Sequence, residues 1–315
     1  MSARAVRWAG RAASATVLLA VALALGVGFL AAALSVAERD LGEARAPARE
    51  WALWFFEGEG WVRAAGLGDL ASLGGATLLV HGVDEPGDVW EDLAPALAAE
   101  GRACLRLTYP NDQAAADSGS MLIAAMDRLG AAGLGRVDIV GHSMGGLIAR
   151  EALTREGVDR SAWPEVGTLV MVGTPHGGSA WAAVRSVAEL RDRGQRMVEG
   201  RMTLDEAMDL ASDGGGEAAR DLAPGSRFLE ELNARPHPAG VRLVCIVGRW
   251  LPAWAHGAMS DEVVGDGVVS VASATLAGAD EVIEVRGNHR GMLRAMSGLG
   301  APEAVPAVVE ALARD

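Results

Sequence analysis

Short apolar runs recur along the chain from residue 76 onward, at 76–80, 103–109, 137–140, 167–172, 241–247 and 281–285. Several are strings of Val, Ile and Leu without polar alternation, the pattern of strands covered on both faces. Between most of them the apolar positions change to helical spacing. Val89, Leu93, Leu97 and Ala98 do so over 88–100, and 118–130 and 144–155 also read as helix. Alternation of this kind predicts a parallel, doubly wound sheet. One interval breaks the rhythm. Residues 176–240 separate the fourth and fifth of these strands. Trp181, Val184 and Ala188 stand at helical spacing there, Thr203-Leu204-Asp205-Glu206 is a candidate capping box, and Gly214-Gly215-Gly216 is a candidate hinge or loop. A helical insertion at this place predicts a cap over a site at the strand ends.

The region before residue 76 has a different texture. From Ala12 to Ala37 no residue is charged, and the stretch could span a bilayer core of roughly 30 Å as a helix. Arg4, Arg7 and Arg11 precede it, which predicts a cytoplasmic N-terminus and an exported remainder. Ser35-Val36-Ala37 also offers a small-x-small cleavage site, so a cleaved signal peptide is the alternative, although the run is longer than a signal's apolar region. Residues 1–37 are therefore read as a transmembrane helix or signal. Residues 38–75 are read as a linker and aromatic-rich segment, and 76–315 as the main domain with its cap at 176–240. Within the linker, Trp51, Trp54, Phe55, Phe56 and Trp61 fall in eleven residues. Such a cluster fits a lipid interface or packing on the sheet of the main domain.

Charge narrows the partners. The net charge is −13, and residues 1–37 hold three Arg and no acid, so the acidic excess lies wholly in the remainder. A domain that acidic argues against nucleic acid as a partner. Cys104 and Cys245 are too few for a disulfide framework and sit in apolar, strand-like runs, which predicts two buried free thiols.

Candidate chemistry centres on Gly141-His142-Ser143-Met144-Gly145, a G-x-S-x-G match. Val137-Asp138-Ile139-Val140 runs into it as a strand, and Gly146-Leu147-Ile148-Ala149-Arg150 leaves it as a helix. A sharp strand-to-helix turn lifts the serine above the sheet, and only small residues fit two positions before and after it. Serine needs a base. Among six histidines, His289 stands apart. It follows the last predicted strand, in Arg286-Gly287-Asn288-His289-Arg290-Gly291, and precedes a C-terminal helical run. The orienting acid should lie between the two in sequence. Asp266, on a glycine-flanked loop, is the choice, with Asp261 and Glu262 as rivals. An oxyanion requires donors. His81-Gly82 leaves the first strand of the alternating region, so the backbone N–H groups of Val83 and Met144 are the expected pair.

These motifs, with Gly173-Thr174-Pro175-His176-Gly177-Gly178-Ser179 and Asp266-Gly267-Val268-Val269, resemble the successive motifs of bacterial lipases. They are also similar to lipase-like serine esterases related to GPI-inositol deacylases. The resemblance covers about residues 76–312. It implies the α/β-hydrolase fold, carboxylic-ester hydrolysis and no organic cofactor. It carries the roles of nucleophile to Ser143, acid to Asp266, base to His289 and oxyanion donors to Val83 and Met144. It also implies that the Thr-Pro-His-Gly-Gly run forms a wall of the site. No set of metal ligands stands out.

The sequence thus predicts a serine hydrolase acting on lipid-like esters from the outer side of an inner membrane, or secreted if residues 1–37 are cleaved. Two alternatives stay open: an acyltransferase or thioesterase using the same residues, and a membrane-tethered binding protein on an inactive scaffold.

Overall fold

Every apolar run from residue 76 onward coincides with a strand. The structure, a computed structural model, describes residues 51–64, 70, 72–83, 87–111, 113–179, 217–250, 261–295 and 300–314. The chain divides into two units, Met1–Pro47 and Ala48–Asp315, and the sheet belongs to the second. Its strands are β1 (Ala52–Glu57), β2 (Gly60–Arg63), β3 (Gly75–Val80), β4 (Cys104–Thr108), β5 (Arg136–His142), β6 (Glu165–Val172), β7 (Arg242–Arg249) and β8 (Glu281–Arg286). The helices are α1 (Leu93–Ala99), α2 (Ala115–Ala131), α3 (Met144–Thr154), α4 (Glu217–Asp221), α5 (Arg227–Ala234), α6 (Asp261–Val264), α7 (Val271–Ala274) and α8 (Ala304–Ala313). A 3₁₀ turn, Asp88–Trp90, takes up the start of the segment read as one helix over 88–100.

The strand order is β2-β1-β4-β3-β5-β6-β7-β8. From β4 to β8 all neighbours are parallel, while β1 runs antiparallel to both β2 and β4. The chain leaves β3 for β4 on one side, then returns to place β5 on the other. The connections after β3 and β5 also cover opposite faces. Leu93 and Leu97 of α1 pack with Leu79, whereas Leu147 and Ile148 of α3 pack with Leu78 and Val80. A reversal of this kind opens a crevice at the carboxyl ends of the two strands. Both faces of the sheet are buried, which explains why β3 and β6 carry no polar alternation.

The sheet begins at Ala52, ahead of residue 76, where the alternation becomes legible. Residues 51–63 form a hairpin at the sheet edge, with Glu57 opposite Gly60 and Gly58 at φ 63° in the turn. The Gly58-Glu59-Gly60 sequence between aromatic runs is a hairpin signal that was open to reading. Trp51 and Phe55 pack on one core, and Phe56 and Trp61 on the other. Of the two readings of the aromatic cluster, packing on the sheet is the one these contacts fit. The Arg106 guanidinium lies 4.4 Å from the Trp61 ring centroid and 5.4 Å from that of Trp54, closing this edge.

The far end of the 176–240 excursion also belongs to the main body. Leu229 and Leu232 of α5 are buried in the core shared with α2 and α3, and Ser226 caps α5 by accepting from Leu229 N at 3.3 Å. Residues 180–216, including the candidate capping box and the triple glycine, lie outside the described residues, as do residues 1–50 with the expected membrane helix. Among the described residues no helix is long and apolar enough to cross a membrane. Cys104 and Cys245 are buried and unbridged, on strands separated by β3, β5 and β6.

Candidate active site

Ser143 occupies the junction of β5 and α3 with φ 54° and ψ −125°, and it is the only non-glycine residue of positive φ among the described residues. Its N–H donates to Val172 O at 2.9 Å, continuing the β5–β6 ladder one residue past the strand. Close backbone contacts enforce the turn. A Cβ on Gly141 would stand 2.5 Å from Gly146 N, and one on Gly145 would stand 2.0 Å from Val80 O. These two positions are glycine because no side-chain carbon fits.

The structure brings Ser143, His289 and Asp266 together from β5, the loop after β8 and the loop after β7. His289 Nε2 lies 2.9 Å from Ser143 Oγ, and His289 Nδ1 lies 2.7 Å from Asp266 Oδ2. The carboxylate facing Nδ1 makes that nitrogen the proton carrier, so Nε2 accepts from the hydroxyl. Asp266 is 1% exposed, and its Oδ1 accepts from Val268 N at 2.9 Å and Val269 N at 2.8 Å. Between the loops after β7 and β8 a further bond runs from His289 N to Asp266 O, 2.9 Å. Asp261 and Glu262 instead start the short helix α6.

Val83 and Met144 stand at the carboxyl ends of β3 and β5, on the loop after His81-Gly82 and at the first residue of α3. Among the described residues the N–H groups of both are without an acceptor. The Val83 loop is held from below. Tyr109 stacks on His81 with ring centroids 4.3 Å apart and donates its hydroxyl to His81 O, while Asn111 Nδ2 donates to Gly82 O at 3.0 Å. Sequence reading missed both supports, because they follow β4 and reach the loop only through strand pairing.

His142, inside the elbow motif, also supports the site. Fully buried, it donates from Nε2 to the backbone carbonyl of His289 at 2.8 Å. No spacing in the sequence signals this contact. His176 of the Thr-Pro-His-Gly-Gly run is itself buried and clusters with Arg150, Asn233 and Cys245. Arg150 Nη1 donates to its Nδ1 at 3.1 Å and to Asn233 Oδ1 at 2.9 Å, and Cys245 Sγ is 3.9 Å from its Nε2. Burial, then the adjacent Arg150 charge, holds the His176 pKa well below the usual imidazole value, and burial lowers that of Arg150 to about 10. Ser273 ties the same run to the acid loop. It accepts from Gly177 N at 3.1 Å and donates to Gly178 O at 2.6 Å, while its carbonyl accepts from His176 N at 2.8 Å. No group of three side chains among the described residues could hold a metal ion.

A strand-to-helix serine above a mostly parallel eight-stranded sheet defines the α/β-hydrolase fold. The chain belongs to the family described as Domain of unknown function (DUF7379), whose model matches residues 120–289. No curated protein matches. Solved structures do. The mature lipase BlEst2 of Bacillus licheniformis is 19% identical with a TM-score of 0.55, covering 75% of this chain and 91% of its own. The metagenomic carboxyl esterase MGS0156 is 18% identical with a TM-score of 0.55, covering 77% and 75%. At these identities the likeness concerns the fold.

Proposed function

We propose that the protein is a serine hydrolase that cleaves carboxylic esters through an acyl-enzyme. Ser143 attacks the ester carbonyl while His289 takes its proton, and Asp266 holds the ring and balances the imidazolium. The oxyanion is received by the N–H groups of Val83 and Met144, at the N-terminus of α3. Proton return from His289 releases the alcohol. A water activated by the same nitrogen then frees the acid and regenerates Ser143. The single observation that supports this reading most is the continuous chain Ser143 Oγ–His289 Nε2 and His289 Nδ1–Asp266 Oδ2, at 2.9 and 2.7 Å, on a backbone strained at the serine. A lipase and a carboxyl esterase share the fold. Lipid-like esters are the substrates we favour, because the uncharged run 12–37 would keep the enzyme at an inner membrane, with the hydrolase on its outer side.

The test is labelling by a fluorophosphonate together with hydrolysis of p-nitrophenyl esters from acetate to palmitate. Wild type should label and turn over, and Ser143→Ala should do neither while keeping its thermal unfolding transition. Labelling that persists in Ser143→Ala would remove Ser143 as nucleophile. Fractionation of cells addresses the anchor separately: full-length protein should be in the membrane pellet, and soluble protein starting at Glu38 would show a cleaved signal instead.

A further inference from the structure

The 3₁₀ turn Asp88–Trp90 and the residues after it carry three carboxylates in five positions, and all three face the loop of His289. Arg290 Nη2 donates to Asp88 Oδ1 at 2.9 Å and to Oδ2 at 3.0 Å. Arg294 Nη1 donates to Asp88 Oδ2, and its Nη2 lies 2.7 Å from Glu91 Oε2. The N–H of Ala295 donates to Asp92 Oδ2 at 2.7 Å. The other end of the turn reaches the same loop indirectly. The Trp90 ring stands edge-on to His142 at 6.4 Å and 85°, and His142 holds the carbonyl of His289.

This clamp joins two segments that act on one substrate carbon. Asp88 lies five residues after Val83, the oxyanion donor, and Arg290 directly follows His289, the base. Asp266 fixes the rotation of the imidazole through Nδ1. His289 N and O are tied to Asp266 and His142, on the acid and nucleophile sides. Of the three carboxylates, Asp88 is the one bonded to Arg290, the residue next to His289. The ion pair is partly exposed, with side chains 27% and 31% accessible, so its removal should barely change stability. Rate is more sensitive, because a shift of about 1 Å between reacting groups costs on the order of a hundredfold.

We propose that Asp88 is a positioning residue for ester hydrolysis, setting the distance between His289 and the Val83 N–H through Arg290. The inference rests on the roles assigned above to Ser143, His289 and Val83. In the full chain, Asp88→Asn should lower kcat for p-nitrophenyl butyrate about ten- to hundredfold with KM nearly unchanged. Asp88→Glu should recover most of the loss. Arg290→Gln should show part or all of the loss of Asp88→Asn, which also gives up the contact with Arg294, and the double variant should lose no more than Asp88→Asn alone. Raising salt from about 0.05 to about 1 M should lower wild-type kcat toward the Asp88→Asn value and leave that variant unaffected. If Asp88→Asn does not unfold cooperatively, Arg290→Gln and the salt series carry the same test. Unchanged kcat in Asp88→Asn, or additive losses in the double variant, would overturn the inference while wild-type turnover and Ser143 labelling stand. A wild type that neither labels nor turns over would overturn the hydrolase reading, and this inference with it.

Discussion

Ser143 illustrates how a single residue stores strain for a purpose. A non-glycine residue at φ 54° costs about 1–3 kcal/mol, and it persists because Gly141, Gly145 and the bond to Val172 leave the chain no other path. The return is a hydroxyl directed at His289 rather than into the helix. Asp266 works by a different economy: one oxygen is saturated by two backbone N–H groups, which leaves the other to the imidazole. Asp266→Asn keeps an acceptor for those amides only by setting its NH₂ against Nδ1, which favours the wrong tautomer. We expect kcat to fall by about 10³–10⁴ with the melting temperature nearly preserved, and Asp261→Asn to be mild. Steady-state kinetics and circular dichroism check both, and the reverse ranking would move the acid to Asp261. His142, Tyr109 and Asn111 escaped sequence reading at this scale, because a contact spanning many residues has no local signature.

At the scale of elements, the short helix α7 does more than its four residues suggest. It opens with Ser270, whose side chain accepts from Ser273 N at 3.2 Å, and this capping places Ser273 against Gly177 and Gly178. Alongside, Ser179 Oγ donates to Val268 O at 2.7 Å. The loop after β7 and the base of the excursion after β6 are thus one hydrogen-bonded unit, with Ser179 and Ser273 buried and Gly177 exposed at its rim. Ser273→Ala leaves the buried Gly178 acceptor unpaired and the Gly177 donor with only its 3.4 Å bond to Ser273 O, at a cost of about 1–3 kcal/mol. Urea denaturation should show that loss, and kcat should drop because Asp266 is held by the same unit. A variant as stable and active as wild type would show the joint to be redundant. The return of the excursion through α4 and α5 packs on α2 and α3.

Across the whole molecule, the Arg150–His176 cluster links α3, the loop after β6 and α5. No carboxylate among the described residues pairs with Arg150, and the guanidinium is satisfied by His176, Asn233 and Leu232 O instead. The cluster demands a neutral His176, since a second proton would sit against a buried cation. The unfolded chain has no such restriction and protonates near pH 6.5. Below that value the unfolded state binds a proton that the folded state refuses, so stability falls on acidification from about pH 6.5 down to the depressed folded pKa. The slope from this one group is at most about 1.4 kcal/mol per pH unit. His176→Asn, which keeps an acceptor for Arg150, should flatten the urea midpoint between pH 7 and pH 5 relative to wild type. Equal slopes in the two proteins would show that His176 takes up a proton in the folded state.

The chain's own order of apolar runs was sufficient for the six strands from residue 76 onward and for a doubly wound sheet, because strands buried on both faces must be apolar throughout. The elbow was legible for a similar reason: a turn that excludes any Cβ at Gly141 and Gly145 has to be written in glycine. The edge hairpin was not recognised, since aromatic residues suit a sheet edge and a lipid interface equally. The meeting of Ser143, Asp266 and His289 was decided by tertiary structure. They lie up to 146 residues apart, and only the parallel stacking of β5 to β8, with each loop leaving at the same end, brings them within hydrogen-bonding reach. The partners that hold them, from His142 to Ser273 and Asp88, follow from that stacking alone, because side-chain contacts between distant loops depend on register and burial that no local pattern encodes.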